Sequence, residues 1–242
     1  MSIHRDIAYT PANNPHQTLD LYLGLPSSPL VVYVHGGAWR TGDKSEFQDL
    51  GEYLQGKGLT IAIVNYRLSP RSGNGIKHPA HLEDLLAALE FLASHRDVYG
   101  YSEELYLIGH SAGAHMALMG YKYVKGVRAV MGIAGIYDIQ RMLEKYPSYI
   151  DFVEGAFGKR EEYFSLSPRS QQPTKDVKYL IVHSPGDELL SMDLSIDYFE
   201  HLKENGVNVK FESDVQGGHD EMLHTTEFFQ VVVEFVQRSQ HQ

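Results

Sequence analysis

The chain of 242 residues contains no cysteine, which excludes disulfides, thiol nucleophiles and Cys-ligated metals. No apolar run approaches the ~20 residues that a bilayer span requires, so no membrane partner is expected. Positive charge is scarce: 21 Lys and Arg stand against 31 Asp and Glu, a net charge of −10. That balance argues against nucleic acid as a partner, because phosphate binding draws most of its free energy from Lys and Arg. None of the 13 histidines falls in an H-E-x-x-H spacing, so a metal hydrolase is set aside and no metal or other cofactor is expected. Met1-Ser2-Ile3-His4-Arg5-Asp6 carries an acid where a secretory signal needs an apolar run. These absences together predict a soluble, cytoplasmic protein acting on a small molecule, with a homodimer left open.

What is present alternates. Leu30 to Val34, Leu59 to Val64, Glu104 to Ile108, Val127 to Ala134, Tyr179 to Val182 and Val207 to Phe211 are short apolar runs that read as buried strands. Helical periods lie between them: Leu82, Leu85, Leu86, Leu89 and Leu92 form one stripe, Leu194, Tyr198, His201 and Leu202 a second, and Phe228, Val232, Phe235 and Val236 the last. Asn205-Gly206 is a helix stop, and the N-terminal segment, including Thr18 to Leu23, alternates as an antiparallel edge hairpin would. The pattern predicts an α/β fold over 1–242 as one domain, a mostly parallel sheet with helices on both faces. From about 136 to 175 no clean strand occurs, and Tyr146, Tyr149, Phe152, Phe157, Tyr163 and Phe164 crowd the segment. It reads as a helical, lid-like insertion over the catalytic end of the sheet.

Three loops carry chemistry. Gly109-His110-Ser111-Ala112-Gly113 lies between a buried strand and a helix, which makes it a nucleophile elbow with Ser111 as the nucleophile. His35-Gly36-Gly37-Ala38-Trp39 ends the first buried strand. Its Gly36 and Gly37 N–H groups, with that of Ala112, form the expected oxyanion hole, and His35 is expected to brace the loop by hydrogen bonding. The acid and base should follow the serine in the order Asp, His. Asp187, in the turn Ser184-Pro185-Gly186-Asp187-Glu188, is the expected acid, with Glu188 facing solvent. His219, in Gln216-Gly217-Gly218-His219, is the expected base, and His224 is its rival.

These residues resemble a known family. His35 to Trp39, Gly109 to His115, the Asp187 turn and the Gly217-Gly218-His219 loop look like the α/β-hydrolase esterases, and more narrowly the kynurenine formamidases (arylformamidases). The narrower likeness extends to Gly135-Ile136-Tyr137-Asp138, Glu144 to Pro147, and Val182-His183-Ser184 leading to Asp187 to Leu190. The hormone-sensitive-lipase-like esterases share the glycine loop and a segment like Tyr66 to Pro70, but His110 and Ala114 depart from their elbow. The resemblance implies hydrolysis of N-formyl-L-kynurenine to kynurenine and formate. Trp39, Tyr146 and Phe157 are assigned to an aromatic side of the pocket, and His110, beside the nucleophile, is counted with them as a substrate contact. Two alternatives stand beside this: a carboxylesterase for short acyl esters using the same triad, and a ligand-binding protein on the same fold. The second is disfavoured because such proteins typically lose a triad member, whereas Ser111, Asp187 and His219 are all present.

Overall fold

A computed structural model describes residues 2–12, 14–70 and 75–240; Met1, where the N-terminal segment read above begins, lies outside them. Eight strands form one sheet: β1 (Ile3–Ala8), β2 (Thr18–Tyr22), β3 (Leu30–Val34), β4 (Thr60–Val64), β5 (Leu105–His110), β6 (Val127–Ile133), β7 (Lys178–Val182) and β8 (Val209–Glu212). Their spatial order is β1-β2-β4-β3-β5-β6-β7-β8. β2 pairs antiparallel with both β1 and β4, and the remaining strands pair in parallel. The N-terminal hairpin read from alternation is therefore there, with β1 at the edge.

The parallel strands are apolar throughout because both of their faces are covered. Along β3, Leu30, Val32 and Val34 point into one core while Val31 and Tyr33 point into the other. The first core is closed by α2 (Ala80–Ser94), α4 (Ala112–Gly120) and α7 (Met192–Glu204), through Leu85, Leu89, Met116 and Leu202. The second is closed by α1 (Gln48–Gly56) and α8 (Thr226–Gln240), through Leu50, Leu54, Phe228 and Val232. A short α3 (Arg96–Tyr99) follows α2. Gly206, at φ +68°, ends α7 in the left-handed conformation that favours glycine.

The chain order explains where a site can form. From β3 the chain moves outward to β4, then returns to the far side of β3 as β5. Loops leaving β3 and β5 thus diverge above a shared boundary, the crevice where α/β sheets place ligands. Between β6 and β7, α5 (Ile139–Lys145), α6 (Ile150–Phe157) and three short 3₁₀ turns take the place of a strand.

Candidate active site

Ser111 leaves β5 at φ 51° and ψ −116°, strained for any residue with a Cβ. The turn is held from several sides. The Ser111 N–H donates to the Ile133 carbonyl (2.9 Å), and its own carbonyl accepts from the N–H groups of Ala114 (3.1 Å) and Ile136 (3.3 Å). Glycine is needed on both flanks: a Cβ on Gly109 would strike the Gly113 carbonyl, and one on Gly113 would strike that of Val34. As the first residue of α4, Ala112 has an N–H with no acceptor inside the helix.

Beside it, the loop after β3 turns through Gly37 (φ +96°), Ala38 (φ +51°) and Trp39 (φ +58°). A Cβ on Gly36 would sit 2.6 Å from His110 Nδ1 and 3.1 Å from the Ser111 Cβ, which measures how closely this backbone approaches the nucleophile. His35 is a brace. Its Nδ1 bonds the Gly36 carbonyl (2.9 Å), its ring stacks on Tyr66 (4.5 Å), and the Tyr66 hydroxyl donates to the same carbonyl (3.0 Å). Burial holds the His35 pKa down at about 4, so the brace stays neutral.

The turn after β7 and the loop after β8 meet. His219 Nδ1 lies 2.7 Å from Asp187 Oδ2, while Asp187 Oδ1 accepts the N–H groups of Leu189 (2.9 Å) and Leu190 (2.8 Å). Burial pushes the Asp187 carboxyl up, but the His219 contact and these N–H groups outweigh it and hold it below the usual carboxylate range. Since a carboxylate only accepts, the proton of His219 sits on Nδ1 and leaves Nε2 free to take one. Glu188 is exposed, and its carboxylate also receives the His219 N–H (3.1 Å), while Ser184 Oγ donates to the Gly217 carbonyl (2.5 Å). The two loops are thus fastened twice besides the Asp187–His219 contact.

Ser111 and His219 line one open cavity of about 330 Å³, together with Gly37, Ala38, Trp39, Arg40, Thr41, Ile136, Met142, Tyr149, Phe152, Leu189, Leu190 and Asp220. No hydrogen bond joins Ser111 Oγ to His219 among the described residues, a common state of such pairs without substrate. His224 is far from this chemistry: it bonds Asp49 (2.8 Å) and stacks on Phe47.

Three expected substrate contacts are corrected. Phe157 is buried behind Trp39, ring to ring at 4.9 Å, and does not line the cavity. Tyr146 stacks on Tyr149 (5.2 Å) and spends its hydroxyl on the Ser191 N–H, so Tyr149 rather than Tyr146 faces the cavity. His110 is buried with its ring 4.5 Å from that of His219, and burial followed by the His219 charge drives its pKa well down. It is a neutral support under the base. Tyr149, Phe152, Arg40 and Asp220 line the cavity without a motif that marks them in the sequence. The crowd of aromatics signalled a wall, but only the placing of α6 decides which of them form it. A second histidine, His183, also faces the acid, with Nε2 3.5 Å from Asp187 Oδ2.

The BD-FAE family model matches residues 19–202. A kynurenine formamidase of Meyerozyma guilliermondii is 34% identical, over 79% of this chain and 78% of its own. The chain belongs to the kynurenine formamidase family. It is a hydrolase. Another member, kynurenine formamidase avaC of Aspergillus versicolor, is 31% identical over 79% of this chain and 82% of its own. Among solved structures, esterase B from Lactobacillus Rhamnosis superposes with a TM-score of 0.83 at 18% identity, over 99% of this chain and 85% of that one. That likeness speaks for the α/β-hydrolase fold of the family. No helix of the described residues is long and apolar enough to cross a membrane.

Proposed function

We propose that the protein is a serine hydrolase that removes the formyl group of N-formyl-L-kynurenine, yielding kynurenine and formate. The observation that carries the reading is the cavity that Ser111 shares with His219, with His219 hydrogen-bonded to a buried Asp187. The relatives named as kynurenine formamidases supply the substrate.

In this mechanism His219 Nε2 takes the Ser111 proton as the oxygen attacks the formyl carbon, and Asp187 stabilises the resulting imidazolium. The carbonyl oxygen becomes an oxyanion, held by the N–H groups of Ala112 and of Gly36 or Gly37. Collapse breaks the C–N bond as His219 returns the proton to the arylamine nitrogen. Water, deprotonated by His219, then attacks the formyl ester and releases formate, and the proton goes back to Ser111. Formyl is the smallest acyl group, so the close approach of Gly36 to Ser111 suits it, and Trp39, Tyr149 and Phe152 suit the aryl side. A cytoplasmic location fits an enzyme without cysteine.

Steady-state hydrolysis of N-formyl-L-kynurenine beside p-nitrophenyl acetate tests this. A much higher kcat/KM for the formamide, abolished in Ser111→Ala, is expected. Turnover of the ester alone would make the protein a carboxylesterase for short acyl groups.

A further inference from the structure

Arg40 is buried at the wall of this cavity, its side chain only 7% exposed. Its Nη1 donates to Asp151 Oδ2 (2.7 Å) and its Nη2 to the Asp151 carbonyl (2.8 Å), and the guanidinium lies 4.7 Å from the Phe152 ring centre. Its Nε is buried and donates to nothing among the described residues. Helix α6 makes room for it at Gly155, where a Cβ would come 2.8 Å from Nη2.

A clamp between loop and helix would not require this arrangement. The Asp151 side chain is 71% exposed, so water screens the anion while the cation stays buried with a spare donor. Most of the remaining wall is apolar, and Asp220, which has no ion-pair partner among the described residues, is the one acid lining the cavity.

We propose that Arg40 binds the carboxylate of an α-amino-acid head on the substrate, with Asp220 facing its ammonium. The cavity would then select zwitterionic aryl formamides over simple ones. This deepens the formamidase reading and rests on it for the identity of the scissile group. Arg40 here determines specificity and takes no part in the chemistry.

The test compares N-formyl-L-kynurenine with 2′-formamidoacetophenone, which keeps the aryl formamide and lacks the amino-acid head. Wild type, Arg40→Gln and Asp151→Asn are measured, with thermal melts to verify folding. Inhibition of p-nitrophenyl acetate hydrolysis by L-kynurenine and by 2′-aminoacetophenone is measured in parallel. Arg40→Gln should raise KM for the headed substrate and Ki for L-kynurenine by about 10–100-fold, the loss expected for a charge-assisted hydrogen bond. The headless compounds should change far less, and Asp151→Asn should keep the preference for the head. Equal losses on both substrates in both variants would reduce Arg40 to a clamp and overturn the proposal. So would wild-type inhibition by L-kynurenine no stronger than by 2′-aminoacetophenone. A wild type inert on both formamides would overturn the formamidase reading instead, and the inhibition ratio would still decide on Arg40.

Discussion

Ser111 adopts a conformation that costs a non-glycine residue about 1–3 kcal/mol, and the surrounding hydrogen bonds hold it there. Ser111→Ala keeps that backbone and removes the nucleophile, so kcat should fall by about 10⁴–10⁶-fold with the melting temperature nearly unchanged. Activity within tenfold of wild type would mean another group attacks. Asp187 supports a pH prediction. Its folded pKa is depressed, so it adds stability above its unfolded value of about 3.9, and this is lost as pH falls through the folded pKa. Asp187→Asn should therefore melt lower than wild type at pH 7, with the gap narrowing toward pH 3. A gap that stays constant would mean the carboxylate is not stabilised by folding. Ser111, Asp187 and His219 were all legible as residues because each sits in a glycine-marked loop after an apolar run. The cavity wall was not, since Tyr146 and Tyr149 have the same chemistry and only the packing of α6 separates their roles.

At the scale of elements, the site depends on backbones that approach closely. Gly113 lets α4 lie against the end of β3, where an added Cβ would meet the Val34 carbonyl and come 2.6 Å from that of His35. Gly113→Ala should cost about 1–3 kcal/mol by overpacking, read as a lower denaturation midpoint. Gly36→Ala should act differently. Its Cβ would press on His110 Nδ1 at 2.6 Å and displace the oxyanion loop, lowering kcat by about 10²-fold or more. A variant of Gly36 with full kcat would remove that loop from the mechanism. The strands were legible because burial on both faces leaves continuous apolar runs. Their spatial order was not, because nothing in a run of Val and Ile says which neighbour it will pair with.

Over the whole molecule, histidine burial sets the acid limit. His35 and His81 are held at about 4 and His115 at about 3, chiefly by burial. Unfolding returns each to an ordinary value near 6.5, so the unfolded chain binds more protons below that pH. Each should remove up to about 1.4 kcal/mol of stability per pH unit as pH falls from about 6.5 to 4. The melting temperature should therefore drop steadily between pH 6.5 and 5, and a flat profile there would refute the argument. By itself the sequence determined the layered α/β class, the chain order of nucleophile, acid and base, and the glycines between them, because periodicity and loop chemistry are local properties. Only the tertiary structure decided that Asp187 meets His219, that His110 lies beside the base, and that Arg40 and Phe152 rather than Phe157 line the cavity. Those are contacts between segments up to 111 residues apart, as Arg40 and Asp151 are, and their geometry comes from how the loops and helices pack around the sheet.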